Sequence, residues 1–135
     1  MKLSEIMRRS TFIRGSSKVI FSINYSDIEA LEEMLDIDRY VQTIIQKMPK
    51  KSMLLLLDTR KLSVSSAIRE HLKEVFVRYG SYFRSSAVVV DEGNESIIRG
   101  LAKELGFTKM AIFPDLESAR ERLLGDDRPL VPTSY

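Results

Sequence analysis

Cysteine is absent from this chain of 135 residues. That excludes disulfides, thiolate nucleophiles and cysteine-ligated metals. It also suits a reducing compartment, so a cytoplasmic location is expected. Histidine occurs once, at His71. One imidazole without a thiolate or a second histidine makes a poor metal site. Its place between Glu70 and Leu72, inside a helical stretch, predicts a helix-surface residue. No G-x-G-x-x-G, G-x-x-x-x-G-K-[ST] or G-x-S-x-G motif occurs, so nothing marks a phosphate-cradling loop or a nucleophile elbow. Neither a cofactor nor a metal is expected. The N-terminus MKLSEIMRRS lacks the apolar core of a signal peptide, and no apolar run is long enough to span a bilayer.

Charge of one sign is also missing. Lys and Arg number 21, Asp and Glu 19, for a formal net charge of +2. Basic residues are scattered, with the densest runs at Arg8-Arg9 and Lys47 to Lys51. A nucleic-acid binder concentrates them into a patch, so no nucleic-acid partner is expected. Apolar residues make up 44% and charged residues 30%, the balance of an ordinary globular protein. The length suits one domain around one core.

Two strands open the chain, STFIR (10–14) and KVIFSIN (18–24), joined across Gly15-Ser16-Ser17. The tight connection makes them antiparallel, and Val19, Phe21 and Ile23 alternate with the period of a strand. SDIE (26–29) reads as a capping box for a helix from Asp27 to Met48. Its stripe is Ile28, Leu31, Leu35, Val41, Ile45 and Met48. A break is expected at Asp36-Ile37-Asp38, with Asp38 capping a second segment. SMLLLLD (52–58) is apolar on consecutive positions, the mark of a strand covered on both faces. SVSSAIREHLKEVFVRYG (63–80) is the next helix, with Gly80 placed to end it. SAVVVD (86–91) is another buried strand. Asn94 is expected to cap the helix of Ile97, Ile98, Leu101 and Leu105, which Gly106 ends. KMAIF (109–113) is a strand, and Asp115 caps a last helix through Leu124. GDDRPLVPTSY (125–135) reads as a flexible tail after a domain of residues 1–124. The order β-β-α-β-α-β-α-β-α predicts an α/β fold with a mostly parallel sheet of about five strands and an antiparallel N-terminal strand.

Candidate chemistry concentrates where core strands end. Open α/β sheets bind ligands at the carboxyl ends of strands, near a reversal in strand order. Asp58 and Asp91 each end a core strand, and with Arg60 and Asn94 they form a strand-end rim. A phosphoaspartate site needs further carboxylates for magnesium and a lysine for the phosphoryl oxygens. Arg60 stands where a second aspartate is wanted, and Lys109 precedes its strand instead of following one. The alternative is that both aspartates terminate strands and bond nearby amides. Ser65 and Ser66 open a helix. A phosphate there meets the positive helix end and adds about −1.5 to −2 charges to an exposed rim, while serines also favour helix starts for their capping oxygen.

Three segments carry a resemblance: KKSMLLLLDTRKL, YFRSSAVVV and the closing FPDLESARERLL. Over about residues 10 to 124 the chain resembles the STAS-like superfamily. More narrowly, it looks like the uncharacterised bacterial proteins that share this fold with the sporulation anti-sigma factor antagonist. The closing segment is similar to the group's F-x-[ST/D]-x-E-x-A-x-x-W-L pattern. Ser65-Ser66-Ala67-Ile68 is similar to the Ser-Ser-Gly-Leu of the switchable antagonists, in which one serine is phosphorylated. Val64 replaces the preceding aspartate, Ala67 the glycine, and the spacing from Asp58 is shorter.

The resemblance implies a non-enzymatic regulatory or protein-interaction module, with a protein partner or a homodimer. Ser65 and Ser66 would be its phosphorylation site or partner surface. The wider relatives imply an alternative, a carrier of a small apolar ligand such as a lipid. Met34, Ile37, Tyr40 and Ile44 add apolar surface to the 27–48 helix that could line a cavity or a dimer seam. A third alternative is a phosphate-handling enzyme using Asp58, Arg60 and Asp91.

Overall fold

Four consecutive leucines form the middle of the protein. In a computed structural model, which describes residues 1–15, 17–107 and 110–125, they lie in β3 (Leu54–Asp58), buried along its whole length. Side chains alternate across a strand, so Leu55 and Leu57 enter one hydrophobic layer and Leu54 and Leu56 the other. The sheet has five strands in the order β1-β2-β3-β4-β5: β1 (Ser10–Arg14), β2 (Val19–Asn24), β3, β4 (Ser85–Val89) and β5 (Ala111–Phe113). β1 pairs antiparallel with β2. The remaining pairs are parallel. This is the predicted architecture, with strand ends that differ by a few residues.

Each parallel crossover carries a helix: α2 (Leu31–Ile45), α3 (Ser66–Tyr82) and α4 (Glu92–Glu104). All of them bury their stripes in the same layer, against Phe21, Ile23, Leu55, Leu57 and Val88. The opposite face is thinner. There Ile20, Leu54, Leu56, Ala87 and Val89 meet Ala119 and Leu123 of α5 (Leu116–Leu124). Strand order never reverses, so the crevice that a reversal opens between diverging loops does not form. No helix among the described residues is long and apolar enough to cross a membrane.

Several local expectations change. A short helix, α1 (Leu3–Arg8), precedes β1. Just after it, Arg9 is buried, and its guanidinium donates to the carbonyls of Asn24 and Ser26 at 3.1 and 2.8 Å. α2 begins at Leu31, not Asp27. Asp27 takes a left-handed φ of 63°, and the Ile28 carbonyl accepts from the Ser63 amide at 2.9 Å. Residues 26–30 therefore cross to the loop after β3 instead of starting a helix. Glu33 supplies the cap, its Oε1 accepting from the Ala30 amide at 3.4 Å.

No break occurs at 36–38, because Asp38 falls at a core position of α2 and is buried. Most of the surplus apolar residues of α2 are also used: Met34 and Ile37 are fully buried and Ile44 packs on the same core, while Tyr40 is half-buried outside it. Gly80 lies inside α3, not at its end. The Phe107 ring approaches it so closely that an added Cβ would sit 3.4 Å from Cζ. The α2 terminus is closed from outside, the Tyr82 hydroxyl bonding at the Ile45 and Met48 carbonyls. Asp115 caps α5 and Gly106, at φ +76°, follows α4, both as expected. Lys109 and residues 126–135 of the tail lie outside the described residues.

Candidate functional site

The strand-end rim is tied together by its own hydrogen bonds. Asp58 is buried. Its Oδ1 accepts from the Arg60 amide at 3.1 Å and from Arg60 Nε at 3.0 Å. Arg60 Nη2 donates to Oδ2 at 2.9 Å, completing the two-pronged pairing that suits guanidinium and carboxylate. Asp91 serves a different loop. Its Oδ1 accepts from the Asn94 amide at 3.0 Å, capping α4, and its Oδ2 from the Lys61 amide at 2.6 Å. That second bond holds Lys61 at a left-handed φ of 60°.

Asp91, not Asn94, is thus the helix cap. The fourth position belongs to the interior, because Asn94 Nδ2 donates to the Thr59 and Leu62 carbonyls, each at 2.9 Å. The Asn94 side chain is the strut between the two loops. Ser65 caps α3, its hydroxyl accepting from the Ile68 amide at 3.2 Å. Ser66, the first helical residue, is exposed. Asp58 has both carboxylate oxygens engaged by Arg60 within its own loop, whereas Asp91 joins the two loops, with one oxygen on the Asn94 amide and the other on the Lys61 amide. Among the described residues, no group of three or more His, Cys, Asp or Glu side chains is placed to hold a metal.

A second polar cluster lies where no sequence motif pointed. His71 is only 8% exposed and Asp38 4%, so His71 is not a surface histidine. Its Nε2 bonds Asp38 Oδ2 across the α2–α3 contact, and the Tyr25 hydroxyl donates to Asp38 Oδ1. His71 Nδ1 faces Glu74 Oε2 at 3.6 Å. Tyr25 is fully buried. Burial, and then the charge of Asp38, push its phenol well above its ordinary range, so it stays a donor.

The signal for this cluster was spacing. Met34, Ile37, Asp38 and Val41 share one face of α2, as Ile68, His71, Leu72 and Val75 share one face of α3. A polar residue at core spacing requires a buried partner, and each of these two is the other's.

The hydrogen bond to Asp38 raises the pKa of His71; burial opposes it less strongly. The folded chain therefore holds this proton more tightly than the unfolded chain. Its contribution to stability is complete below about pH 6.5, the ordinary histidine value. It is lost as pH rises through the higher folded-state value. Urea midpoints measured from pH 5.5 to 9 should fall across that window in the natural sequence and fall less in Asp38→Asn. Parallel curves for the two would show that Asp38 does not raise the pKa of His71.

A cavity of about 420 Å³ opens between α3, the sheet and the turn after α4. Leu57, Val75, Phe76, Val88 and Phe107 supply apolar wall, and Tyr79 lines it as well. It lies on the face of α3 against β3 and β4, not on α2. Arg84 and Ser85, where β4 begins, are its exposed polar members.

Together these features define a class, an α/β domain whose five-stranded, mostly parallel sheet carries a self-bonded strand-end rim and an apolar cavity under α3. No protein-family model, curated protein or solved structure matches the chain.

Proposed function

We propose that the domain is a non-catalytic binding module and that its cavity under α3 takes a small apolar ligand. The observation that carries this reading is the cavity itself. Its volume falls in the range of about 300–1,000 Å³ usual for small-molecule sites, and its walls come from α3, β3, β4 and the turn after α4. The rim supports catalysis less well, since the Asp58 carboxylate is occupied by Arg60 on both oxygens. STAS-like membership fits the element order and the quoted segments, and a regulatory role follows from that likeness.

A partner-binding surface is the second reading. It is favoured by Ser63, Ser65, Ser66 and Ala67, all exposed around the start of α3.

Native mass spectrometry of freshly purified protein separates the two. A retained small mass is expected for the ligand module, and a clean doubled mass for a homodimer. In solution, N-phenyl-1-naphthylamine should bind saturably at one site per chain, and Val75→Phe, which fills the cavity, should weaken binding at least tenfold. Unchanged binding in that variant would remove the cavity from the proposal.

A further inference from the structure

The two ends of the sheet differ in charge. Asp58, Asp91 and Asp115 close or follow β3, β4 and β5. By contrast, no Asp or Glu occurs in residues 39–57, 75–90 or 105–114. Those three stretches supply every described residue that lines the cavity under α3. They carry cations instead: Lys47, Lys50, Lys51, Arg78 and Arg84 are all exposed. The acids that border these stretches are engaged elsewhere. Glu104 meets Arg69 and Lys73 at 3.0 and 2.5 Å, and Glu74 faces His71.

Arg84 is the one cation on the lining itself. Its amide donates to the Met53 carbonyl at 2.9 Å, which fixes its backbone where β4 begins. Its guanidinium has neither an ion pair nor a hydrogen bond among the described residues. Lys51 sits next to it. The Lys51 amide donates to the Tyr82 carbonyl at 2.8 Å, and its ammonium to the Phe83 carbonyl at 3.4 Å. Ser85 and Ser86 follow Arg84 along the lining with neutral hydroxyl donors. The rest of the wall is mainly apolar, from Leu55 and Leu57 through Val75 and Phe76 to Phe107.

We propose that the cavity takes a single-chain carboxylic acid, its alkyl chain along the apolar wall and its carboxylate on the Arg84 guanidinium at the mouth. The inference rests on the reading of the cavity as a ligand site and adds the ligand's charged end. A chain alone gains from leaving water but leaves Arg84 unpaired. A carboxylate matches the two parallel donors of a guanidinium, and no acidic side chain on the lining competes for them. A cationic head meets Arg84 and Lys51 with the wrong sign.

The test uses the full chain and three probes of one chain length: decanoate, decanol and decyltrimethylammonium, each displacing N-phenyl-1-naphthylamine. A hydrogen bond between charged groups predicts that decanoate binds roughly tenfold tighter than decanol, with the cation weakest. Added salt should narrow that difference. Arg84→Gln should erase it, so that decanoate and decanol bind alike. Arg84→Lys should keep part of it, because the charge stays and the fork is lost. A decanoate advantage that survives in Arg84→Gln overturns the inference, as does equal binding of decanoate and decanol to the natural sequence or tightest binding by the cation. Dye binding that none of the three displaces overturns it too. All of these results leave the cavity as an apolar site. If the dye does not bind the natural sequence, the cavity reading itself fails, and the inference with it.

Discussion

Replacing Asp38 with alanine is expected to cost about 3–5 kcal/mol of stability, the usual result of removing one partner from a buried ion pair. The size follows from what remains. His71 stays on α3 inside the protein with its Nε2 facing nothing, and Tyr25, fully buried, loses the acceptor for its hydroxyl. Each orphaned group is destabilising because water cannot reach it to replace the lost bond. Asp38→Asn keeps an acceptor for one of the two neighbours and should cost less. Replacing all three residues together by apolar groups of similar size should cost less than Asp38→Ala alone, since no orphan then remains. Urea unfolding of the set at pH 6 measures all of this. A loss below about 1 kcal/mol for Asp38→Ala would show that the pair contributes little when buried.

Truncating adjacent leucines of β3 should separate the two layers. Leu56 and Leu57 are each 1% exposed, and Leu→Ala at buried sites costs about 2–5 kcal/mol. Within that range the cost depends on how far the surroundings collapse into the space left behind. Leu57 faces the layer walled by α2, α3 and α4, which cannot close in without moving several packed elements. Leu56 faces the layer covered by α5, a single helix of 9 residues that can settle toward the sheet. Leu57→Ala is therefore expected near the upper end of the range and Leu56→Ala near the lower. Equal losses in matched urea denaturations would mean that α5 is held as rigidly as the layer opposite.

Much of the fold was legible because the core strands are short apolar runs and the helices carry clear stripes. β3 and β4 announce themselves as LLLL and VVV, and Asp115 opens α5 as its type and place suggest. What was illegible depended on distant partners. The start of α2 is set by the Ile28 carbonyl reaching Ser63, and the continuation of α3 past Gly80 accompanies the approach of Phe107. Neither contact has a local signature. The rim residues were findable because they end strands. What the sequence could not show was that Arg60 would close over Asp58 and that Asn94 would turn inward. The Asp38–His71 pair was half visible. Each residue breaks an apolar stripe at core spacing, but only the packing of α2 on α3 joins the two breaks.

The order of the strands has one more consequence. Each new strand is laid beside the one made just before it, so the backbone climbs like a spring in successive coils. No segment has to be threaded between two that are already in place. The sheet can be assembled in the direction of synthesis, and α5, coming last, lies back across β3, β4 and β5 as a clasp over the finished coils.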